Sequence, residues 1–250
     1  MIVYLAGFSS IQTIWKPPTD DIFLLSSFWE HRSGTVDPYV LRCKHILDSG
    51  AFSAMSNPRK HANNDWRDYA RRYADFIVQY DQRLFFELDI DSIVGHDEVM
   101  ILRDIIEQRT GLRAIPVWHK SRGLDEWNRL CERYDYVGIG GFVTEEIPKR
   151  DFKYVASFLS IARKNNTRVH GLGFTSTEWL KKLKFYSVDS STWNVGAKFG
   201  NICQWTSKRN MNQLYPSREI SPRRVKDRDG LNIANFNAWL QFQKWALVNL

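Results

Sequence analysis

The most informative stretch of this sequence is Ile46-Leu47-Asp48-Ser49-Gly50-Ala51-Phe52-Ser53, in which a short apolar run ends in a carboxylate, a glycine and an aromatic ring. This order is typical of the carboxyl end of a buried β-strand that carries an acid into a pocket. Gly50 permits a turn closed to other residues and lets a ligand approach the backbone. Asp-Ser-Gly is also common turn chemistry, so an ordinary turn is the alternative. The prediction therefore depends on whether similar strand ends recur.

Composition limits the classes of protein to consider. The chain has 250 residues, a hydrophobic fraction of 43% and a formal net charge of +7. The charge and a pI near 9.3 favour a nucleic-acid partner, because cationic side chains neutralise phosphates and release counterions. No apolar run approaches the ~20 residues of a membrane span, so we expect no membrane association. The three cysteines, Cys43, Cys131 and Cys203, lack metal-type spacing and predict reduced, buried thiols in a cytoplasmic protein.

Short apolar runs alternate with segments of helical periodicity, which predicts parallel strands joined by right-handed crossovers. Seven units can be counted, residues 201–205 could supply an eighth strand, and residues 22–25 could form a short strand in a connection. We therefore predict a single-domain (β/α)8 TIM-type barrel over residues 1–250. The seven predicted strands are 2–6, 42–47, 84–88, 114–117, 136–139, 168–172 and 185–188.

The end of the chain differs in character. Residues 207–230 are rich in lysine and arginine, contain two prolines and show little periodicity, which predicts a basic loop or arm. A solvated basic loop and a nucleic-acid-binding surface are both consistent with this composition. A closing helix is predicted at 235–250. The candidate nucleic-acid-binding residues in the arm are Arg209, Arg218, Arg223 and Arg224.

The predicted strand ends share a chemical pattern. In a (β/α)8 barrel the carboxyl ends of the strands form the active face. Carboxylates from separate strands would converge there, although each acid alone could be a helix cap. Two carboxylates facing each other across a sugar suggest nucleophilic and acid/base chemistry, and a third beside glycine backbone suggests recognition of a guanine-like base. The strand-end residues are Asp48, Asp89, Asp91, Trp118, His119, Gly140, Gly141, residues 170–174, and Asp189.

Three motifs resemble those of the tRNA-guanine transglycosylases. The sequence Asp48-Ser49-Gly50-Ala51-Phe52 is similar to their Asp-Ser-Gly-Gly-aromatic motif, and Tyr136-Val137-Gly138-Ile139-Gly140-Gly141-Phe142 to their base-binding turn. The third match combines Gly171-Leu172-Gly173 with Val188-Asp189-Ser190-Ser191, which resembles their Gly-x-Gly and catalytic-aspartate segment. The closer resemblance is to the short, phage-type branch that inserts 7-deazaguanine bases into DNA.

The resemblance implies a role for each matched position. Asp189 would attack C1′ of the nucleotide and expel guanine, while Asp48 would protonate the leaving base and deprotonate the incoming one. Asp89 would recognise the base edge with the backbone of Gly140 and Gly141. The remaining implied base-binding residues are Ser49, Phe52, His119, His170 and Gly171, with Phe52 and His170 on the two faces of the ring.

Departures from the family pattern leave alternatives open. His119 falls near a family glutamine, but His119 and His170 could equally be ordinary strand-end histidines. Ser53 replaces the usual glutamine, and in another register Thr192 would occupy the place of the catalytic aspartate. The zinc-binding cysteine motif of the tRNA enzymes is missing from the sequence, so we predict neither a metal nor another cofactor.

The resemblance thus implies a pentosyltransferase that replaces guanine in DNA with a free 7-deazaguanine base such as preQ0. The same exchange on tRNA is the nearest alternative. A catalytically silent nucleic-acid-binding subunit, or a glycosidase acting on a sugar polymer, are alternatives of other classes. A homodimer is left open.

Overall fold

The computed structural model describes residues 1–31, 36–51, 65–174, 176–198, 200–208, 210–214 and 228–250. Its main element is a curled sheet of seven parallel strands, and the α/β class is confirmed. The strands are β1 (Ile2–Ala6), β2 (Phe23–Ser27), β3 (Lys44–Asp48), β4 (Val117–Trp118), β5 (Tyr136–Ile139), β6 (Arg168–Gly171) and β7 (Ser187–Ser190). They lie in the order β3-β2-β1-β7-β6-β5-β4.

Helices connect most of these strands. Four of the longer helices lie in segments where the sequence shows helical periodicity, at Trp66–Gln79, His96–Thr110, Gly123–Arg133 and Phe152–Lys164. In chain order the helices are α1 (Phe28–His31), α2 (Pro38–Arg42), α3 (Trp66–Gln79), α4 (Asp91–Val94), α5 (His96–Thr110), α6 (Gly123–Arg133), α7 (Phe152–Lys164), α8 (Thr177–Leu180), α9 (Thr192–Lys198) and α10 (Arg228–Asn249).

The edge strands β3 and β4 are linked through residues 84–88, which lie between them. Leu47 forms a parallel bridge with Phe85, and Phe86 forms one with Ile115. The amide of Leu47 donates to the carbonyl of Leu84 at 2.9 Å, and the amide of Ile115 donates to the carbonyl of Phe85 at 2.8 Å. The seven named strands alone form a half-barrel compatible with a TIM-type fold, not a closed eight-stranded barrel.

The assignment of residues 201–205 to the eighth barrel strand is wrong. In the structure β8 (Ile202–Thr206) pairs antiparallel with β9 (Asn210–Leu214) in a separate two-stranded sheet. The residues of β8 alternate, with Cys203 buried and Ile202 exposed, as in a strand that packs on one face only. The short apolar run predicted at 22–25 instead belongs to the main sheet, as β2, because it is buried between β1 and β3.

Helix α3 fixes the strand end that carries Asp48. Asp65 caps the helix by accepting from the amide of Asp68 at 3.0 Å. On its buried face, the hydroxyl of Tyr69 donates to the carbonyl of Ser49 at 2.6 Å. The hydroxyl of Tyr73 donates to the carbonyl of Phe86 at 3.0 Å, so the apolar stripe of this helix also carries polar groups that hold the site.

The C-terminal region packs against the sheet. Helix α10 begins at Arg228, earlier than predicted, and its Gln243 donates to the carbonyls of Val3 at 2.7 Å and Phe23 at 2.8 Å. Strand β9 occupies part of the segment predicted as a basic arm. The four arginines proposed for nucleic-acid binding, Arg209, Arg218, Arg223 and Arg224, lie outside the described residues.

Two further expectations concern membranes and cysteines. Among the described residues, no helix has the length and apolarity needed to cross a bilayer. Cys43, Cys131 and Cys203 are free and buried, as predicted.

Candidate active site

A cavity of about 540 Å³ opens at the carboxyl ends of the parallel strands. It brings together side chains from β3, from residues 84–91, from the ends of β4 and β5, and from β7. The residues predicted for the site that line this cavity are Asp48, Ser49, Asp89, His119, Gly140, Gly141 and Asp189. Phe52, predicted to stack on the base, lies outside the described residues.

Asp48 ends strand β3 and has an unusual protonation equilibrium. Its Oδ2 accepts from the amide of Gly50 at 2.9 Å. Burial, assisted by the negative charges of Asp189 and Asp89, raises the pKa of Asp48 from 3.8 to about 7. A carboxyl group with this pKa can both donate and accept a proton near neutrality.

The turn after Asp48 requires glycine. Gly50 has φ +71°, in the left-handed region, and a Cβ there would collide with Ser27 Oγ and approach Trp29 Cβ within 2.5 Å. The Asp-Ser-Gly sequence therefore places the carboxylate by backbone geometry that few other sequences could adopt.

Asp189 lies in strand β7 and is held through one of its two oxygens. Oδ1 accepts from the amide of Gly173 at 2.7 Å and lies 3.1 Å from Nε2 of His170. Within the described residues no hydrogen bond reaches Oδ2 of Asp189. One carboxylate oxygen is thus fixed, and the other is open for chemistry.

His119 joins two carboxylates across the cavity wall. Its Nε2 lies 2.6 Å from Oδ1 of Asp89 and its Nδ1 lies 2.8 Å from Oε2 of Glu146. Burial alone would lower the pKa of His119, but hydrogen bonds and charge from both carboxylates outweigh it and raise the pKa to about 9. The protonated ring therefore donates from both nitrogens at neutral pH and offsets part of the negative charge.

Glu146 was not predicted from the sequence. Its Oε1 accepts from the amide of Ser121 at 2.8 Å. Burial would raise the pKa of Glu146, but hydrogen bonds from His119 and Ser121 outweigh burial and lower this pKa. The only sequence signal is an acid a few residues after the Gly-Gly turn. Nothing in the sequence pairs Glu146 with His119, because they come from different loops.

The Gly-Gly turn packs directly against this histidine. A Cβ on Gly140 would lie 2.6 Å from Cε1 and 2.8 Å from Nε2 of His119. Gly141 has φ +85°, and a Cβ there would lie 3.0 Å from Oε2 of Glu146. Glycine at both positions lets the Asp89–His119–Glu146 cluster sit close to the backbone.

A buried ion network lies behind Asp89. Arg122 donates to both oxygens of Asp91, at 2.5 and 2.6 Å, and lies 3.4 Å from Oε1 of Glu87. Arg103 donates to Oε2 of Glu87 at 3.1 Å. Glu87 is fully buried, so these contacts fix residues 84–91 and with them the position of Asp89. Neither arginine was predicted.

His170 and Gly171 lie beneath the cavity and do not line it. The side chain of His170 is fully buried against the rings of Phe86 and Tyr4. A stacking role would need an open face of this ring, and the structure places His170 under Asp189 instead. Gly171 permits close packing, since a Cβ there would lie 3.1 Å from Phe174 and Phe185.

Neither a scan against protein-family models nor a search of curated proteins gives a match to this chain. The chemistry of the site therefore has to be argued from its own geometry. Within the described residues, no group of three or more histidine, cysteine, aspartate or glutamate side chains has a geometry that could hold a metal ion. The cavity offers a carboxyl group with a pKa of about 7, Asp48, a carboxylate with one oxygen outside any hydrogen bond observed in the described residues, Asp189, and a third carboxylate held by His119, Asp89.

Proposed function

We propose that this protein is a base-exchange transglycosylase, which replaces guanine in DNA with a free 7-deazaguanine base through a covalent aspartyl–glycosyl intermediate. One observation carries the proposal. A single cavity is lined by Asp48, Asp89 and Asp189 from three different strand ends, and Asp48 has a pKa of about 7. Nucleophile, acid/base group and base-recognition group would each need their own carboxylate, and these three aspartates could supply them. Asp91 and Glu146 also line the cavity, but Arg122 and His119 bind them.

The proposal includes a more specific fold assignment than the half-barrel, a complete (β/α)8 barrel. Residues 84–88 would serve as the barrel strand between β3 and β4. Their parallel bridges to Leu47 and Ile115 support this arrangement. The cavity then lies at the carboxyl face of the barrel, where enzymes of this architecture place their active sites.

The exchange would proceed by two displacements. In the first, Asp189 bonds to C1′, the bond from C1′ to N9 of guanine breaks, and Asp48 supplies a proton to the departing base. In the second, Asp48 takes the N9 proton of the incoming base, N9 bonds to C1′, and the ester to Asp189 breaks. A pKa of about 7 suits Asp48 to both transfers, since each form is well populated near neutrality.

Asp89 would select the base. A carboxylate can accept simultaneously from the ring N–H and the exocyclic amine on the edge that guanine presents. His119 holds Oδ1 of Asp89 at 2.6 Å and so fixes the orientation of that carboxylate. The backbone of Gly140 and Gly141 would line the same edge.

The net charge of +7 favours a nucleic-acid substrate. In duplex DNA the target nucleotide would have to leave its stack to reach the strand ends, at roughly a few kcal/mol. The same cavity could serve tRNA, and a queuine- or archaeosine-type exchange is the alternative within this class. A possible homodimer and a cytoplasmic location remain parts of the hypothesis.

A labelled-base assay tests the function. The protein is incubated with labelled guanine or labelled 7-cyano-7-deazaguanine and with either DNA or tRNA, and the label in the polymer is counted. We expect uptake into DNA, and a covalent protein–DNA adduct on denaturing gels. Asp189→Asn should abolish both, while Asp104→Asn, an exposed aspartate on helix α5, should change neither.

The outcomes separate the candidate functions. Uptake of label only into tRNA would identify tRNA, and not DNA, as the substrate of the exchange. Binding of DNA without uptake or adduct would favour the catalytically silent subunit. Full activity of Asp189→Asn would exclude Asp189 as the nucleophile.

A further inference from the structure

A buried chain of hydrogen bonds ends at Asp189. The hydroxyl of Tyr136 lies 2.5 Å from Oγ of Ser187, which lies 2.6 Å from Nδ1 of His170. Nε2 of the same histidine lies 3.1 Å from Oδ1 of Asp189. Ser187 and His170 are fully buried and Tyr136 is 5% exposed, so bulk water does not share these contacts.

The hydrogen bonds between Tyr136, Ser187, His170 and Asp189 all run in one donor-to-acceptor direction. An ionised carboxylate can only accept, so Nε2 of His170 is the donor in its contact with Oδ1 of Asp189. In the neutral imidazole Nδ1 is then the acceptor for Ser187, whose oxygen in turn accepts from the hydroxyl of Tyr136. Every donor in the chain therefore points toward the carboxylate.

The packing holds His170 in this orientation. Its ring centroid lies 5.0 Å from that of Phe86, 6.0 Å from Tyr4 and 6.5 Å from Tyr136. His170 and Ser187 are also register partners on the neighbouring strands β6 and β7. Because strands and rings together fix the imidazole, it can neither rotate away from Asp189 nor reach into the cavity.

We infer that Tyr136, Ser187 and His170 form a donor relay that positions Oδ1 of Asp189 and stabilises this carboxylate as a leaving group. The inference rests on the proposed function and deepens it. With Oδ1 held by His170 and by the amide of Gly173, Oδ2 is the oxygen that bonds to C1′. The three residues are positioning residues, since none contacts the substrate.

The relay acts unequally on the two displacements. When Oδ2 attacks, the C1′–N9 bond breaks and its electron pair leaves with guanine, protonated by Asp48. When the incoming base attacks, the C1′–Oδ2 bond breaks and its electron pair returns to Asp189 as a carboxylate. Donation to Oδ1 stabilises that carboxylate, so the relay accelerates the second step and restrains the first.

Separate measurement of the two steps tests the relay. Guanine release from DNA without added base reports the first displacement, and uptake of labelled base by the preformed adduct reports the second. His170→Leu should slow uptake by about 10- to 100-fold, the effect of one hydrogen bond to a charged group, while guanine release should be unchanged or faster. The covalent adduct should therefore accumulate at steady state.

Conservative variants separate donation from packing. His170→Gln keeps an N–H near the position of Nε2 and should restore much of the uptake rate. Ser187→Ala and Tyr136→Phe each remove one hydroxyl and should give smaller accumulation of the same kind. Ser160→Ala and Tyr154→Phe, at exposed positions on helix α7, are the matched controls and should behave as wild type.

The results decide between the relay and a structural role. Equal slowing of both steps in His170→Leu, or identical behaviour of His170→Leu and His170→Gln, would overturn the relay while leaving the exchange reaction intact. A wild-type protein that neither forms an adduct nor takes up base would overturn the proposed function and the relay with it. The conservative variants Tyr136→Phe and Ser187→Ala keep the test valid should His170→Leu fail to fold.

Discussion

Replacing Asp48 with asparagine should stabilise the protein while it abolishes exchange. Burial and the neighbouring charges raise the pKa of Asp48 from 3.8 to about 7. Between these two pH values the folded protein keeps a proton that the unfolded chain has released, so stability falls as the pH rises. Each pH unit in this window lowers stability by about 1.4 kcal/mol, which amounts to about 4 kcal/mol by pH 8.

Asparagine does not ionise, so the Asp48→Asn variant does not lose stability in this way as the pH rises. Its side-chain oxygen can still accept from the amide of Gly50, which donates to Asp48 at 2.9 Å. The advantage of Asp48→Asn over wild type should therefore be small near pH 4, grow up to about pH 7 and then level off. In the exchange assay the variant should be inactive, since both displacements need a proton transfer.

Urea unfolding of both proteins between pH 4 and pH 8, followed by circular dichroism, measures this difference. Asp104→Asn, on the exposed face of helix α5, is the control and should follow the wild-type curve at every pH. A stability difference that does not change with pH would refute the raised pKa. A variant that is less stable than wild type at pH 8 would refute the argument that Asp48 is buried at an energetic cost.

Three further predictions concern the surroundings of Asp89. His119→Gln should weaken the binding of free guanine about 10-fold at pH 7, as measured by calorimetry. The affinity of the wild-type protein for guanine should fall as the pH rises through about 9, where His119 loses its proton. Arg103→Met should lower the free energy of unfolding by about 3–5 kcal/mol, because the fully buried Glu87 loses one of its ionic partners; an unchanged urea midpoint would contradict this. Gly140→Ala should raise KM for the free base by displacing His119, and an unchanged KM would contradict the packing argument.

The longer helices between the strands, and most of the strands themselves, could be predicted from local patterns. Helix α3 illustrates this, because its apolar stripe and the capping residue Asp65 are both contained in one continuous segment. Residues 201–205 show the limit of such reasoning. Their apolar content suits any strand, and only the packing of Ile202–Thr206 against helix α10 decides that they pair with Asn210–Leu214.

The candidate site was predictable where a strand end could be read directly. Asp48, Asp89, His119 and Asp189 all follow or end apolar runs, and all four line the cavity. The partner of His119 could not be predicted, because Glu146 comes from another loop and only the fold brings the two together at 2.8 Å.

The sequence by itself determined which residues stand at the carboxyl ends of parallel strands, because the alternation of apolar runs and helices is local information. The tertiary structure alone decided which of those side chains face the cavity. His170 and Asp189 both belong to strand segments, yet His170 is fully buried and Asp189 lines the cavity. Their orientation depends on the register of β6 against β7 and on the rings of Tyr4 and Phe86, contacts between residues far apart in the chain.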